Sequence, residues 1–260
     1  MQPSVKPVTP APESVLVVLP TFNERETLGP VVTEVLDLAD DIHVLVVDDA
    51  SPDGTGAIAD ALAAADPRVT VLHRAGKLGL GTAYLAGFRV ALERGFAFAV
   101  EMDSDGSHQA AELPAMIAAA RSGAGLVIGT RWMPGGRIVH WPRYRRLISR
   151  TGTGVARLAL RSQLRDLTSG FRVLSHEALE HLSADIVDSE GYAFQVETAW
   201  RLERMDFAVA EVPITFVERR AGRSKMSARI VWEALTNVLR WGGEIRRPAA
   251  AQRAVSSRHG

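Results

Sequence analysis

FAFAVEMDSDGSHQ, residues 96–109, is the stretch from which the fold is read. A short apolar run, Phe96 to Val100, leads into two acids spaced one apart, Asp103 and Asp105, and then into Gly106, Ser107 and His108. Aromatic and branched residues bounded by turn formers predict a buried strand over 98–102 that ends in a polar loop. Side chains alternate along a strand, so extended backbone past Met102 would turn both carboxylates to one side. Such a pair repels unless a cation or a proton lies between. Mg²⁺ and Mn²⁺ prefer oxygen ligands of this kind and share them with waters and substrate phosphates. The same residues also fit a solvated turn, with Ser107 or Asp105 capping a helix that begins near Ala110.

Outward from this stretch, apolar runs alternate with helical patterns. Strands are predicted over 15–19, 43–47, 69–72 and 126–128, and helices over 27–39, 58–65, 79–93 and 112–121. This alternation predicts an α/β fold, a mostly parallel sheet flanked by helices in the Rossmann-like manner. Ligands in such sheets bind beyond the carboxyl ends of the strands. Four predicted strand ends carry polar groups: Thr21 to Glu24, Asp48-Asp49, Asp103 with Asp105, and Thr130-Arg131. If the strands are parallel, all four gather on one edge.

Two other classes fit less well. A phosphoacceptor receiver domain puts paired acids after its first strand and a Lys after its fifth. Here the acids follow the second strand, and the fifth runs into Gly129-Thr130-Arg131. A dinucleotide fold needs Gly-x-Gly-x-x-Gly after the first strand, and none is there.

The 260 residues suffice for one large domain or two small ones, with 47% hydrophobic and 23% charged residues, as in globular proteins. Net charge is zero, so basic surface is offset elsewhere and no nucleic-acid partner is expected. Cysteine is absent, which excludes disulfide and thiol chemistry. Residues 1–13 hold four prolines and no apolar core of a signal peptide, so they read as a disordered tail, as do 248–260. No stretch reaches the ~18 apolar residues of a membrane span, and a cytoplasmic location is expected.

Several segments occur in a telling order: LPTFNERETL (19–28), VVDDASPDGT (46–55), GKLGLGTAY (76–84), MDSDGSH (102–108), GTRW (129–132), DLTSGFR (166–172), GYAFQVE (191–197) and EVPITFVERRAGRSKM (211–226). Together they resemble family 2 glycosyltransferases and, within them, the dolichyl- or polyprenyl-phosphate mannose synthases. The resemblance implies a GT-A fold over about 14–217 and transfer of mannose from GDP-mannose to a polyprenyl monophosphate with inversion. A polyprenyl-phosphate glucose synthase using UDP-glucose is the alternative. It further implies that Asp103 and Asp105 bind Mg²⁺ or Mn²⁺ on the donor pyrophosphate. Pro20, Phe22, Glu24, Val47 and Asp49 match guanosine-holding positions. Ser104 and Arg131 match other donor contacts, Arg219 and Lys225 match a late basic loop that closes on the phosphates, and Arg145 matches the acceptor-phosphate site. Asp105, Arg131 and Arg145 are the expected catalytic set. Phe22 stands where Tyr is common, and Ser107 where some members place a metal-reaching Gln, so a third protein ligand stays open.

The chemistry is consistent with the residues. A phosphate monoester already carries negative charge at neutral pH, so the acceptor needs no general base, only cations to hold it in line. Between Arg131 and Arg172 lie ten arginines and one acid, Asp166. Arg binds phosphate bidentately, and part of this stretch suits anionic lipid headgroups. Residues 227–241 predict an amphipathic helix with Trp232 and Trp241, fitting either a membrane interface or the protein core. The segment 218–247 therefore reads as a basic loop and interface helix. A peripheral position on the cytoplasmic membrane face, beside a membrane-embedded partner protein, follows from the resemblance.

Overall fold

A computed structural model describes residues 13–184, 191–218 and 236–243. The chain opens with β1 (Val15–Thr21), α1 (Leu28–Leu36), β2 (Ile42–Asp48), α2 (Thr55–Ala65) and β3 (Val69–His73). The helix α3 (Leu80–Arg94) then returns it to β4 (Phe98–Glu101). After α4 (Leu113–Arg121) come β5 (Leu126–Thr130), β6 (Arg137–Val139), α5 (Arg143–Leu160), β7 (Arg172–Ser175), α6 (His176–Ala184), α7 (Gly191–Arg204), β8 (Val209–Pro213) and β9 (Thr215–Val217).

Seven strands form one sheet in the order β3-β2-β1-β4-β7-β5-β8, and β6 pairs with β9 in a small second sheet. All strands of the large sheet run parallel except β7, which is antiparallel to both β4 and β5. The reason lies at the sheet edge. Asp166, just before β7, is bound to Arg131, just after β5. The chain thus enters β7 from the edge where the parallel strands end, and must run against them.

The strands alternate between two apolar layers, as a doubly covered sheet requires. Leu16, Val18, Leu45 and Val47 face one layer with residues of α3, α5, α6 and α7. Val15, Val17, Val44 and Val46 face the other, with α1 and α4. Gly87 lets α3 lie close on β1, since a Cβ there would sit 2.5 Å from a Val18 methyl.

The chain leaves β1 toward β2 on one side and reaches β4 on the other. The carboxyl ends of β1 and β4 therefore flank the switch point where such sheets bind ligands. Ser104 stitches this crevice, its hydroxyl donating to the Pro20 carbonyl at 2.8 Å.

Residues 236–243 are helical, with Val238 and Trp241 buried and Trp241 stacked on Trp200 of α7 at 5.9 Å. This end of the predicted amphipathic helix packs on the core; 227–235 lie outside the described residues, as do 1–12 and 248–260. Glu13, assigned to the tail, is held: its carbonyl accepts from Arg121 Nη2 at 3.2 Å.

Candidate active site

The opening stretch folds differently from its prediction in one respect. β4 ends at Glu101, and the chain turns at Ser104 and Asp105 instead of staying extended. Asp105 makes a local turn, its Oδ1 accepting the Ser107 N–H at 3.0 Å, and neither residue caps the short 3₁₀ turn at Ala110–Glu112. Asp105 is buried, and the Asp103 side chain is about one third exposed at 33%. Both acids bear on one buried group. The fully buried Tyr84 hydroxyl is pushed well above its ordinary range by burial, then by the charges of Asp103, Glu101 and Asp105.

His108 locks the loop from inside. Its Nδ1 accepts the Asp103 N–H at 3.0 Å, and its ring stacks on Phe171 at 4.8 Å. Burial pushes its pKa down to about 4, so the ring is neutral at pH 7. A neutral ring whose Nδ1 accepts carries its proton on Nε2, which faces Asp103 Oδ2 at 3.9 Å. Neither nitrogen is then a ready metal ligand. The donor set is two hard carboxylates, and among the described residues no cluster of three or more His, Cys, Asp or Glu could hold a metal. That set fits Mg²⁺ or Mn²⁺ sharing its remaining positions with waters and a diphosphate.

Below the loop, Glu101 and Arg172 are cross-strand partners, both fully enclosed, with Arg172 Nε 3.9 Å from Glu101 Oε2. Burial, partly opposed by Arg172, pushes the Glu101 carboxyl up to about 7.

The ends of β1 and β2 make the second wall. Asp49 is clasped by Arg74, and its Oδ2 accepts the Leu78 N–H at 3.3 Å. Arg74 is itself fixed by Thr82 Oγ1 at 2.7 Å and the Gly79 carbonyl at 3.0 Å. Lys77 lies over the Phe22 ring at 4.6 Å. Glu24 is buried, its N–H bonded to Thr55 Oγ1 at 3.0 Å. Asn23 and Ala50 both hold positive φ, 61° and 55°, a conformation that clusters at functional loops. Val47 is the register partner of Pro20 at the same strand ends. Its side chain lies in the core, and its carbonyl accepts the Thr21 hydroxyl at 3.3 Å.

The third wall is cationic. Arg131 holds Asp166 through Nε and Nη2 at 2.7 and 2.8 Å, and Thr168 through Nη2 at 3.0 Å. Trp132, Trp141 and Phe216 surround its guanidinium at 5.5–5.9 Å. Arg145 also lies over Trp141, at 4.2 Å, and donates to Glu218 Oε1 at 3.2 Å. A groove of about 520 Å³ opens here, lined by Arg131, Arg137, Arg146 and Arg150 with Trp132 and Ile138. Gly136 forms its tight corner, since a Cβ there would meet the Thr130 and Arg131 backbone at 2.8 Å. β9 ties this wall to the acidic loop, because the Val217 N–H donates to the Ser107 carbonyl at 3.0 Å.

The structure thus brings Pro20, Phe22, Glu24, Val47, Asp49, Asp103, Ser104, Asp105, Arg131 and Arg145 to one edge, Val47 with its side chain in the core. Arg219 and Lys225 lie outside the described residues. Sequence reasoning missed Arg74, Trp141 and Asp166 as builders of the site. The isolated acid in an arginine-rich stretch was a signal for Asp166; Arg74 carried none.

Known proteins agree with this geometry. The model of "Glycosyl transferase family 2" matches residues 16–183. The polyprenol monophosphomannose synthase of Mycolicibacterium smegmatis is 48% identical over 238 residues, 91% of this chain and 90% of that protein. The undecaprenyl-phosphate mannosyltransferase of Micrococcus luteus is 51% identical over 228 residues, 88% and 93% of the two chains. Among solved structures, glucosyl-3-phosphoglycerate synthase from Mycobacterium tuberculosis, in complex with Mn²⁺, UDP and glucosyl-3-phosphoglycerate, superposes with a TM-score of 0.68 at 20% identity, covering 89% of this chain and 80% of that one. That likeness establishes the GT-A-like fold. A sheet with its acidic loop at the switch point and a family match over more than half the chain lead to one assignment: this protein is a glycosyltransferase and belongs to glycosyl transferase family 2.

Proposed function

We propose that the chain transfers mannose from GDP-mannose to a polyprenyl monophosphate, with inversion at C1, giving polyprenyl-phosphate mannose and GDP. The observation that carries the reading is the pair of relatives at 48% and 51% identity, both matched over nearly their whole length. The site supports it. Phe22, Glu24 and Asp49 offer a ring face and carboxylates to a guanosine, and Asp103 and Asp105 would hold Mg²⁺ or Mn²⁺ against its diphosphate. Bound there, the cation offsets the charge that develops on the leaving group. Arg145 and the groove arginines receive the acceptor phosphate. Its own oxygen attacks C1 in a single displacement, and the C1–O bond to GDP breaks on the opposite side. No side chain has to remove a proton, because the attacking group is already ionised.

The lipid acceptor brings the protein to a membrane surface. α5 presents exposed Tyr144, Leu147, Ile148 and Leu158 beside Arg143, Arg146, Arg150 and Arg157, and has no acid along its length. Apolar side chains flanked by cations suit an anionic leaflet. None of the described helices is long and apolar enough to cross a membrane. With the lipid acceptor and the cationic, apolar face of α5, the reading includes a peripheral position on the cytoplasmic face, beside a membrane-embedded partner.

The test is a nucleotide-sugar panel with a short polyprenyl phosphate, following sugar in the lipid fraction. Mannose from GDP-mannose is expected. Transfer from UDP-glucose alone would replace the reading with the glucose synthase, and no transfer from any donor would overturn it.

A further inference from the structure

Two arginines lie against the Trp141 ring, and their acidic partners differ in kind. Asp166 is fully buried and grips Arg131 bidentately while also accepting the Arg131 backbone N–H at 3.2 Å. That clamp is permanent. Among the described residues Glu218 meets Arg145 at 3.2 Å, and the Glu218 side chain is 38% exposed while that of Arg145 is 12% exposed. A contact with a partly solvated carboxylate is weak and exchangeable. Both backbones are nonetheless fixed. The Glu218 N–H donates to the Val139 carbonyl at 3.2 Å, continuing the β6–β9 pairing, and the Arg145 N–H donates to the Pro142 carbonyl at 3.1 Å. The carboxylate is thus held, over a separation of 73 residues, against a guanidinium whose aromatic platform is already built.

We propose that Glu218 is an internal competitor for the acceptor phosphate, occupying Arg145 until a dianion displaces it, and so acts as a positioning residue. This rests on the reading of Arg145 as the acceptor-phosphate site. A carboxylate carries one charge. A phosphate monoester brings nearly two charges and can engage the guanidinium fork with two oxygens, so it wins the exchange. A phosphodiester brings one charge and gains little over the resident carboxylate. Displacing Glu218 taxes both classes alike, so the monoester's advantage comes from the Arg145 fork, while Glu218 raises the concentration at which singly charged lipid phosphates occupy the site and keeps Arg145 on Trp141. A bound dianion and a nearby carboxylate repel, so Glu218 also lowers affinity for the correct acceptor.

The experiment uses the full chain with Glu218→Gln, and Glu218→Ala as a second variant. Binding of a short polyprenyl monophosphate, measured by calorimetry without donor, should tighten roughly three- to tenfold, the scale of removing a partly screened like charge. Dimethyl phosphate, a soluble diester, should inhibit the variants at concentrations that leave the wild type untouched. Both effects should vanish in the Arg145→Ala background. Unchanged or weaker monoester binding in both variants, or the same tightening without Arg145, would overturn the proposal. The binding measurement involves no sugar donor, so it is decided separately from whether mannose is the group transferred.

Discussion

Arg131 and Asp166 form a buried fork, Nε to Oδ2 at 2.7 Å and Nη2 to Oδ1 at 2.8 Å, between the end of β5 and the entry to β7. Removing one member of such a pair strands the other charge out of water. Asp166→Ala is expected to lower unfolding stability by about 3–5 kcal/mol. Urea denaturation checks this; a loss below ~1 kcal/mol would show that the pair is solvated in solution.

The acidic loop separates charge from shape. Asp105→Asn keeps an oxygen for the Ser107 N–H but removes the carboxylate charge. We expect sugar transfer to fall by about a hundredfold or more, with unchanged thermal unfolding. A titration of Mn²⁺ into protein and GDP, read by paramagnetic broadening of the nucleotide, should show the matching loss of binding. Full broadening by Asp105→Asn would remove this residue from the metal site.

Arg74 is predicted to matter through Asp49. With Arg74→Ala, the carboxylate of Asp49 loses its clasp, and the 74–82 loop loses its bonds to Gly79 and Thr82. The KM for GDP-mannose should rise roughly tenfold or more, the scale of hydrogen bonds to charged groups. The acceptor KM should not change. A rise in acceptor KM alone would place Arg74 on the wrong side of the reaction.

α5 is predicted to touch lipid. Leu147 is 67% exposed, so Leu147→Glu should leave the fold intact. Co-sedimentation with anionic vesicles should weaken by about tenfold, combining lost apolar burial with an added negative charge. Equal sedimentation of variant and wild type would move membrane contact to another surface.

A pH effect is expected at His73. Its Nε2 lies 2.9 Å from Asp60 and its Nδ1 3.5 Å from Asp48, and the hydrogen bond to Asp60, more than burial opposes, raises its pKa above 6.5. The folded state binds the proton more tightly than the unfolded chain. The stabilisation is then complete below the unfolded value near 6.5 and is lost as pH rises through the folded value. His73→Gln should be less stable than wild type at pH 5.5, and the gap should close above the folded pKa. A gap that widens with pH would reverse the sign.

Local sequence determined the elements and their polar ends. Apolar runs such as 15–19 and 43–47 became β1 and β2, and the acids of 102–108 ended up at the switch point, because periodicity and strand–loop boundaries are set by neighbours along the chain. Extension past Met102 did not survive, since the Asp105–Ser107 bond bends the loop within two residues. Tertiary structure alone decided the partners of the charges. Asp49 with Arg74, Arg131 with Asp166 and Arg145 with Glu218 are 25, 35 and 73 residues apart. Nothing in the local pattern links them. Each pairing exists because the sheet order carries loops from distant strands to one edge, and for Asp49 with Arg74 and Arg131 with Asp166 burial makes an unpartnered charge costly and selects its counter-ion. The direction of β7 was settled the same way: four residues, Arg172–Ser175, carry no directional signal, and the anchor of Asp166 at the strand ends forces them to run backwards.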